Sequence, residues 1–340
     1  MSRMDKFLYL KLGRGNCLAR YWLSKDNVFK KPAVAIFFGK ITTEKCRKLS
    51  AMSKEELKSF KSESIGAEDI RSYRDIHYQI KPFIEAGDDR RARFVTIVHG
   101  NVYIYKPDSP VFDMPKALYD EYDFHLSQLG IKPKKKTIDE HFPKVIFVKN
   151  IKRLTEFPHV LATLQCSQYL TRGTCREINP SRDWGAIQAI KHCLGEPIEK
   201  PEADEQIMSL LGWHQLETLV FLILKNSGVF PSAWRGGSLP DVDIVATNYS
   251  YSEVRIGTNP QIIFEPMKRK TFQIKRGRVE KPFENSDYTV AMDFRGKDNE
   301  KILTSKWLLE QIEDQPDTKD WFEKSLYWTS LFRESQTMHA

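Results

Sequence analysis

The sequence predicts two mixed domains in succession: an α+β domain over 1–195, built on a small curled sheet or barrel, and an α/β domain over 205–340. Three observations predict it. The chain has 340 residues, and at about 100–200 residues per domain that length divides into two. Short β-branched or aromatic runs alternate with helical periods in both halves, so neither reads as all-helix or all-strand. Between them, Glu196 to Glu205 (EPIEKPEADE) is acidic and carries two prolines, the composition of an exposed linker before a new helix.

In the first domain, Lys6 to Leu12 and Pro32 to Phe38 read as strands, the second closed by Gly39. Met52 to Phe60 reads as a helix, with Ser53 ahead of acids in its first turn. Ile65 to Ala86 places Ile70, Tyr73, Ile76, His77 and Ile80 at helical intervals, and Pro82 must end or kink that helix. Arg93 to Tyr105 is a hairpin hinged at His99-Gly100-Asn101. Residues 131–137 (IKPKKKT) form a basic loop, Pro143 to Val148 a strand and Ser181 to Leu194 a helix.

In the second domain, Gln206 to Asn226 is strongly helical and stops at Gly228. Leu239 to Thr247, Gln261 to Phe264, Thr271 to Lys275 and Tyr288 to Phe294 read as strands. Lys301 to Ile312 and Trp321 to Phe332 read as amphipathic helices.

A composition of 41% apolar, 29% charged and 12% aromatic residues is near the globular average and excludes a disordered, collagen-like or coiled-coil chain. No apolar stretch is long enough for a bilayer crossing, and the charged start MSRMDKFLYLKLGRGN lacks the continuous apolar segment of a signal peptide. Five cysteines, an odd number without CxxC spacing, argue against a disulfide framework or zinc knuckle and for the cytoplasm. A net charge of +8 favours polyanionic partners. Neither a nucleophile elbow, a Cys–His signature nor a Walker-type loop is present, which speaks against Ser-His-Asp or Cys-His catalysis and ATP-driven translocation.

The chemistry-bearing residues lie at three places in the second domain. Glu217 sits inside the stripe Trp213, Val220, Leu224 of the long helix; a carboxylate on a core-facing stripe needs a cation or hydrogen bonds, unless it lies at the edge with its head in water. A glycine-containing turn then delivers Asp241 and Asp243, on one face, into the apolar run Ile244-Val245-Ala246. Aspartate is a poor strand residue, and an Asx-turn or strand-end cap would need only one. On the next strand, Gln273 and Lys275 share a face opposite Phe272 and Ile274; exposed alternation is the ordinary explanation, a phosphate-facing lysine the chemical one.

This order of helix acid, strand aspartate and Gln-x-Lys resembles the Mrr-like branch of the PD-(D/E)XK restriction endonucleases, in its QxK variant, over roughly residues 205–300. The resemblance implies a mixed central sheet flanked by helices and hydrolysis of DNA phosphodiesters dependent on Mg2+, with Mn2+ as a substitute. It carries the family's helix acid onto Glu217, its metal-binding aspartate onto Asp243 and its Q-x-K onto Gln273 and Lys275. Asp241, which follows a proline, competes with Asp243 for the metal. Carboxylates and an amide oxygen suit a hard cation, and the lysine helps position the nucleophile. Two departures stand out. The span from 243 to 273 requires an insertion around Asn248 to Pro260, and neutral Gln273 supplies one charge less. Around the strand, Lys268, Arg269, Lys270, Lys275, Arg276, Arg278 and Lys281 face one acid, Glu280, a charge run suited to tracking a phosphate backbone or to lying solvated on a loop.

The first domain resembles an EVE or PUA-related module over about residues 5–180, through GRGN, PAVAIFFGK, SKEEL, the helix IRSYRDIHYQIKPFI and a strand pair ending VYIYKP. The resemblance implies reading of a flipped, modified base. Phe38, Trp22, Tyr73 and Tyr103 are its stacking candidates and Arg74 and Gln79 its polar readers, with ordinary packing as the competing role for each. Arg172 and Arg176, in a polar glycine-containing stretch, are candidates for backbone contact.

Together these resemblances imply a modification-dependent endonuclease of a prokaryotic restriction or antiviral defence system. It would act on double-stranded DNA carrying modified cytosine, as a cytoplasmic homodimer without membrane attachment. Two other readings stay open: a sequence-specific type II enzyme reading unmodified bases, and a DNA-binding protein whose nuclease fold has lost catalysis.

Overall fold

The structure, a computed structural model, describes residues 6–13, 16–36, 41–59, 74, 76–128, 130, 143–166, 174–234, 242–297 and 299–331. The chain divides into two units, Met1–Phe157 with Gln165–Ile178, and Pro158–Leu164 with Asn179–Ala340. Among the described residues no helix is long and apolar enough to cross a membrane.

The first unit is a mixed α+β body on a curled half-barrel sheet. Its elements begin β1 (Lys6–Leu10), α1 (Ala19–Leu23), β2 (Ala33–Ile36), α2 (Thr43–Ala51) and α3 (Lys54–Ser59). A π-helical turn (Ile76–Ile80) then leads into α4 (Lys81–Asp89), β3 (Ala92–Val98), β4 (Asn101–Pro107), β5 (Phe112–Asp113), α5 (Tyr119–Gln128) and β6 (Lys144–Leu154). After α6 (His159–Cys166), whose residues up to Leu164 belong to the second unit, β7 (Cys175–Glu177) completes a seven-stranded sheet ordered β2-β6-β4-β3-β1-β7, with β5 on β6. The β3–β4 hairpin turns through His99 and Gly100, both left-handed (φ 48 and 71), the conformation that suits the twist of a two-residue hairpin. Burial of β1, β3 and most of β4 explains why these runs read as strongly apolar. Pro82 is the second residue of α4, directly after the π-helical turn, where the hydrogen-bonding pattern of the helix changes. Where described, the expected helix over 65–86 runs without a break from the π-helical turn into α4, Ile80 at the junction being helical (φ −68, ψ −53), and residues 65–73 and 75 lie outside the described residues.

The second unit contains α7 (Trp184–Leu194), a 3-10 segment (Asp204–Leu210), α8 (Trp213–Asn226), β8 (Phe230–Trp234) and β9 (Ile244–Thr247). It continues with β10 (Val254–Ile256), β11 (Ile262–Phe264), β12 (Arg269–Val279), β13 (Tyr288–Phe294), β14 (Ile302–Thr304), α9 (Ser305–Glu313) and α10 (Pro316–Ser325). Its five-stranded sheet is mixed: β8, β9 and β12 run antiparallel in turn, and β12, β13 and β14 are parallel. Helix α8 packs on β8, β9 and β12, and α9 on β13 and β14. The insertion expected at 248–260 contains the first strand of the β10–β11 hairpin. Asn248, fully buried, organises it by donating to Ser252 O (2.9 Å) and Phe264 O (3.1 Å) and accepting from Ser250.

The expected boundary near 196–205 is displaced. Helix α7 belongs to the second unit because Gly185 lies against the backbone of Leu210, where a Cβ would come within 2.3 Å of the carbonyl oxygen. The acidic stretch after it is no free linker: Glu199 accepts from Lys191 Nζ (2.6 Å) and Trp184 Nε1 (3.3 Å), and its N–H donates to Gln188 Oε1 (2.8 Å).

Candidate active site

Strands β9 and β12 pair antiparallel with Ile244 opposite Phe272, and Asp243 continues that ladder by donating its N–H to Phe272 O at 2.8 Å. This places its carboxylate beside Gln273. Asp243 Oδ2 accepts the N–H of Ile274 at 2.7 Å and a hydrogen bond from Gln273 Nε2. Gln273 is 2% exposed, and its Oε1 is buried without a hydrogen-bond partner among the described residues. A buried amide oxygen left so costs about 1–3 kcal/mol, which makes it an acceptor with capacity to spare.

Lys275, two residues on and on the same face, is half-buried, with Nζ 5.1 Å from the centroid of the Phe283 ring. Glu217 is 4% exposed, on the face of α8 buried with Val220 and Leu224, as its place in the apolar stripe predicts. Its Oε2 lies 3.4 Å from Nδ1 of His214, whose ring stacks on Trp213 at 3.5 Å between centroids. Asp241 lies outside the described residues. The structure thus joins Asp243 to Gln273 directly, keeps Lys275 on the same strand face, and brings Glu217 to the sheet through the packing of α8 on β9 and β12. Among the described residues no group of three or more His, Cys, Asp or Glu side chains is placed to hold a metal ion.

The basic run does not form one surface. Lys268, Arg269, Arg278 and Lys281 are exposed, Arg278 pairing with Glu280 at 3.0 Å, and Lys270 lies 5.5 Å from the centroid of the Tyr288 ring. Arg276 is a correction to the expected DNA face. Its side chain is 8% exposed, lies 3.8 Å from Asp183 and donates to Ser209 O at 2.9 Å. The ladder with β13 shifts between Lys275 and Arg278, and this irregularity interrupts the alternation that the sequence implies. Burial drives Arg276 down to about 10 and pushes the Asp183 carboxyl up, so desolvation outweighs their attraction in each.

In the first unit the base-reading candidates scatter among roles. Trp22 is fully buried among Tyr21, Phe29 and Tyr122, a core side chain whose face is closed to an incoming base; of the two roles open to it, packing holds and base stacking is corrected. Tyr103 is 8% exposed on β4, Arg74 is exposed, and Gln79 accepts from the N–H of Thr174 at 3.0 Å. Arg176, on β7, lies 5.5 Å from the centroid of the Tyr78 ring. Phe38, Tyr73 and Arg172 lie outside the described residues, as does the loop 131–137.

His214, Thr289 and Phe283 escape a reading of the sequence alone. His214 precedes Glu217 by three residues, a helical spacing that could have found it. Thr289, fully buried and opposite Gln273, depends on a strand register that no local pattern encodes. Neither a family model, a curated protein nor a solved structure matches the chain.

Proposed function

We propose that the chain is a Mg2+-dependent DNA endonuclease of a prokaryotic restriction system, whose first unit reads a base and whose second hydrolyses the phosphodiester. The observation that carries this reading is the bond between Asp243 and Gln273, thirty positions apart, beside a buried Gln273 Oε1 with no partner among the described residues. Asp243 and that amide oxygen, with Glu217 on the helix packed against the same strands, are oxygen donors of the type a hard divalent cation prefers, so their chemistry fits the ion. When bound, the ion supplies polarisation of the phosphate and acidification of water.

The chain's own residues do the rest. The Ile274 N–H holds one Asp243 oxygen toward β12. Lys275 presents a cation two residues beyond Gln273, where it can offset charge on the phosphate and orient the attacking water. Exposed Lys268 and Arg269 at the start of β12, and Arg278 near its end, supply backbone contacts.

The test uses double-stranded DNA of one sequence, with and without modified cytosine, incubated with the full chain and Mg2+ or EDTA. The expected outcome is Mg2+-dependent strand breakage of the modified DNA, lost in Asp243→Ala and in Lys275→Ala while DNA binding persists. Undiminished cleavage in both variants would remove the centre. Equal cutting of both DNAs would favour the type II reading. A second reading, a DNA-binding protein without catalysis, draws on the same bond, because Gln273 already occupies an Asp243 oxygen; binding without breakage in Mg2+ supports it.

A further inference from the structure

We propose that Phe283 is a positioning residue for Lys275, holding its ammonium group over an aromatic ring fixed by the strand pairing that sets Gln273. This rests on the nuclease reading of Lys275. The argument begins with chain length. Strands β12 and β13 are parallel, with Phe272 opposite Tyr288 and Val279 opposite Phe294, so the connection must return from the level of Val279 to that of Phe272. Seven residues of strand span about 23 Å. The connection, residues 280–287, is eight residues long, and eight residues reach at most about 26–29 Å. It must therefore run back beside the strands, with room for one turn at Phe283–Ser286, and its midpoint, Phe283, is brought to Thr289 and to Lys275.

Three sets of contacts fix that midpoint. The Phe283 N–H donates to Thr289 Oγ at 3.0 Å, and Thr289 is the fully buried residue opposite Gln273. The Phe283 carbonyl accepts from the N–H and the hydroxyl of Ser286, each at 3.3 Å. The ring packs on the cluster of Val279, Ala291 and Ile302, and Ala291 is the residue opposite Lys275. The far end of the connection is tied to the start of β12, where Asp287 accepts from the Thr271 N–H at 2.7 Å and hydroxyl at 2.9 Å. With the ring so held, Lys275 Nζ lies 5.1 Å from its centroid, within the range of attraction between an ammonium and a π face. A lysine on a flexible four-carbon stem has many rotamers, and the ring selects those that keep the cation beside Gln273.

The test compares Phe283→Leu, which keeps apolar volume in the cluster but removes the π face, with Phe283→Tyr, which restores it. In the full chain with lysines labelled by 13C-methylation, the Lys275 resonance is assigned from Lys275→Arg. A ring-current displacement is expected in the wild type, absent in Phe283→Leu and present in Phe283→Tyr. In Mg2+, single-turnover cleavage should fall about 10–100-fold in Phe283→Leu, with DNA affinity unchanged within about twofold and Phe283→Tyr near the wild type. A Lys275 resonance indifferent to Phe283→Leu overturns the proposal, as does an equal loss of rate in both variants. If the wild type cuts no DNA, the nuclease reading fails, while the resonance still decides whether Phe283 holds Lys275.

Discussion

In Gln273→Glu, the hydrogen bond given to Asp243 is replaced by a second carboxylate facing the first. The lost bond and the like charges together oppose folding by about 1–3 kcal/mol without a cation, whereas a divalent ion between them reverses the sign. The variant should melt below the wild type in EDTA and recover as Mg2+ is added, by more than the wild type gains. Thermal melts across a Mg2+ series check this, and parallel responses would take Asp243 and Gln273 out of any cation site. Trp22 makes the contrasting case. The family resemblance offers it as a stacking candidate with packing as the competing role, and its ring is wholly enclosed, so Trp22→Ala should remove about 3–5 kcal/mol of stability. Urea unfolding measures it, and a loss below about 1 kcal/mol would show that the ring is not core.

Strand β12 carries three side chains of different fate within four residues: Gln273 buried in the site, Lys275 on Phe283, and Arg276 turned inward to Asp183. The inward turn ties the N-terminal end of α7 and the 3-10 segment to the strand that bears the candidate lysine. Arg276→Met leaves Asp183 buried with Arg182, 3.5 Å away, as a remaining cation and should cost about 1–3 kcal/mol. The double variant Asp183→Asn with Arg276→Met should recover much of that stability, since burial already opposes both charges. A double-mutant cycle by chemical denaturation decides it; additive effects would mean that the two groups do not act as a pair.

Considered as a DNA-binding protein, the chain carries +8, but only part of the basic run is available to a phosphate backbone. Removing Lys268, Arg269 and Arg278 together should flatten the dependence of log affinity on log salt by about 0.9 for each phosphate that these side chains neutralise. Arg276→Met should leave that slope unchanged, because its side chain is buried. Fluorescence anisotropy at several salt concentrations separates the two, and a slope lowered by Arg276→Met would return that residue to the binding face.

Much of this is legible from local pattern. The apolar runs of β3, β4 and β13, the hairpin at His99-Gly100, and the helix carrying Glu217 inward all follow from periodicity and turn chemistry, which act over a few residues. Strand β8 escapes such a reading because FPSAW is short and holds a proline. The division of the chain is displaced from the expected one because a Pro-containing acidic stretch reads the same whether free or hydrogen-bonded to α7. Register lies beyond such patterns. That Thr289 stands opposite Gln273, that a shift after Lys275 accompanies the burial of Arg276, and that an eight-residue connection carries Phe283 back to Lys275 depend on which strands pair and at what offset. Those choices are made by contacts between residues distant in the chain, so only the folded sheet could decide them.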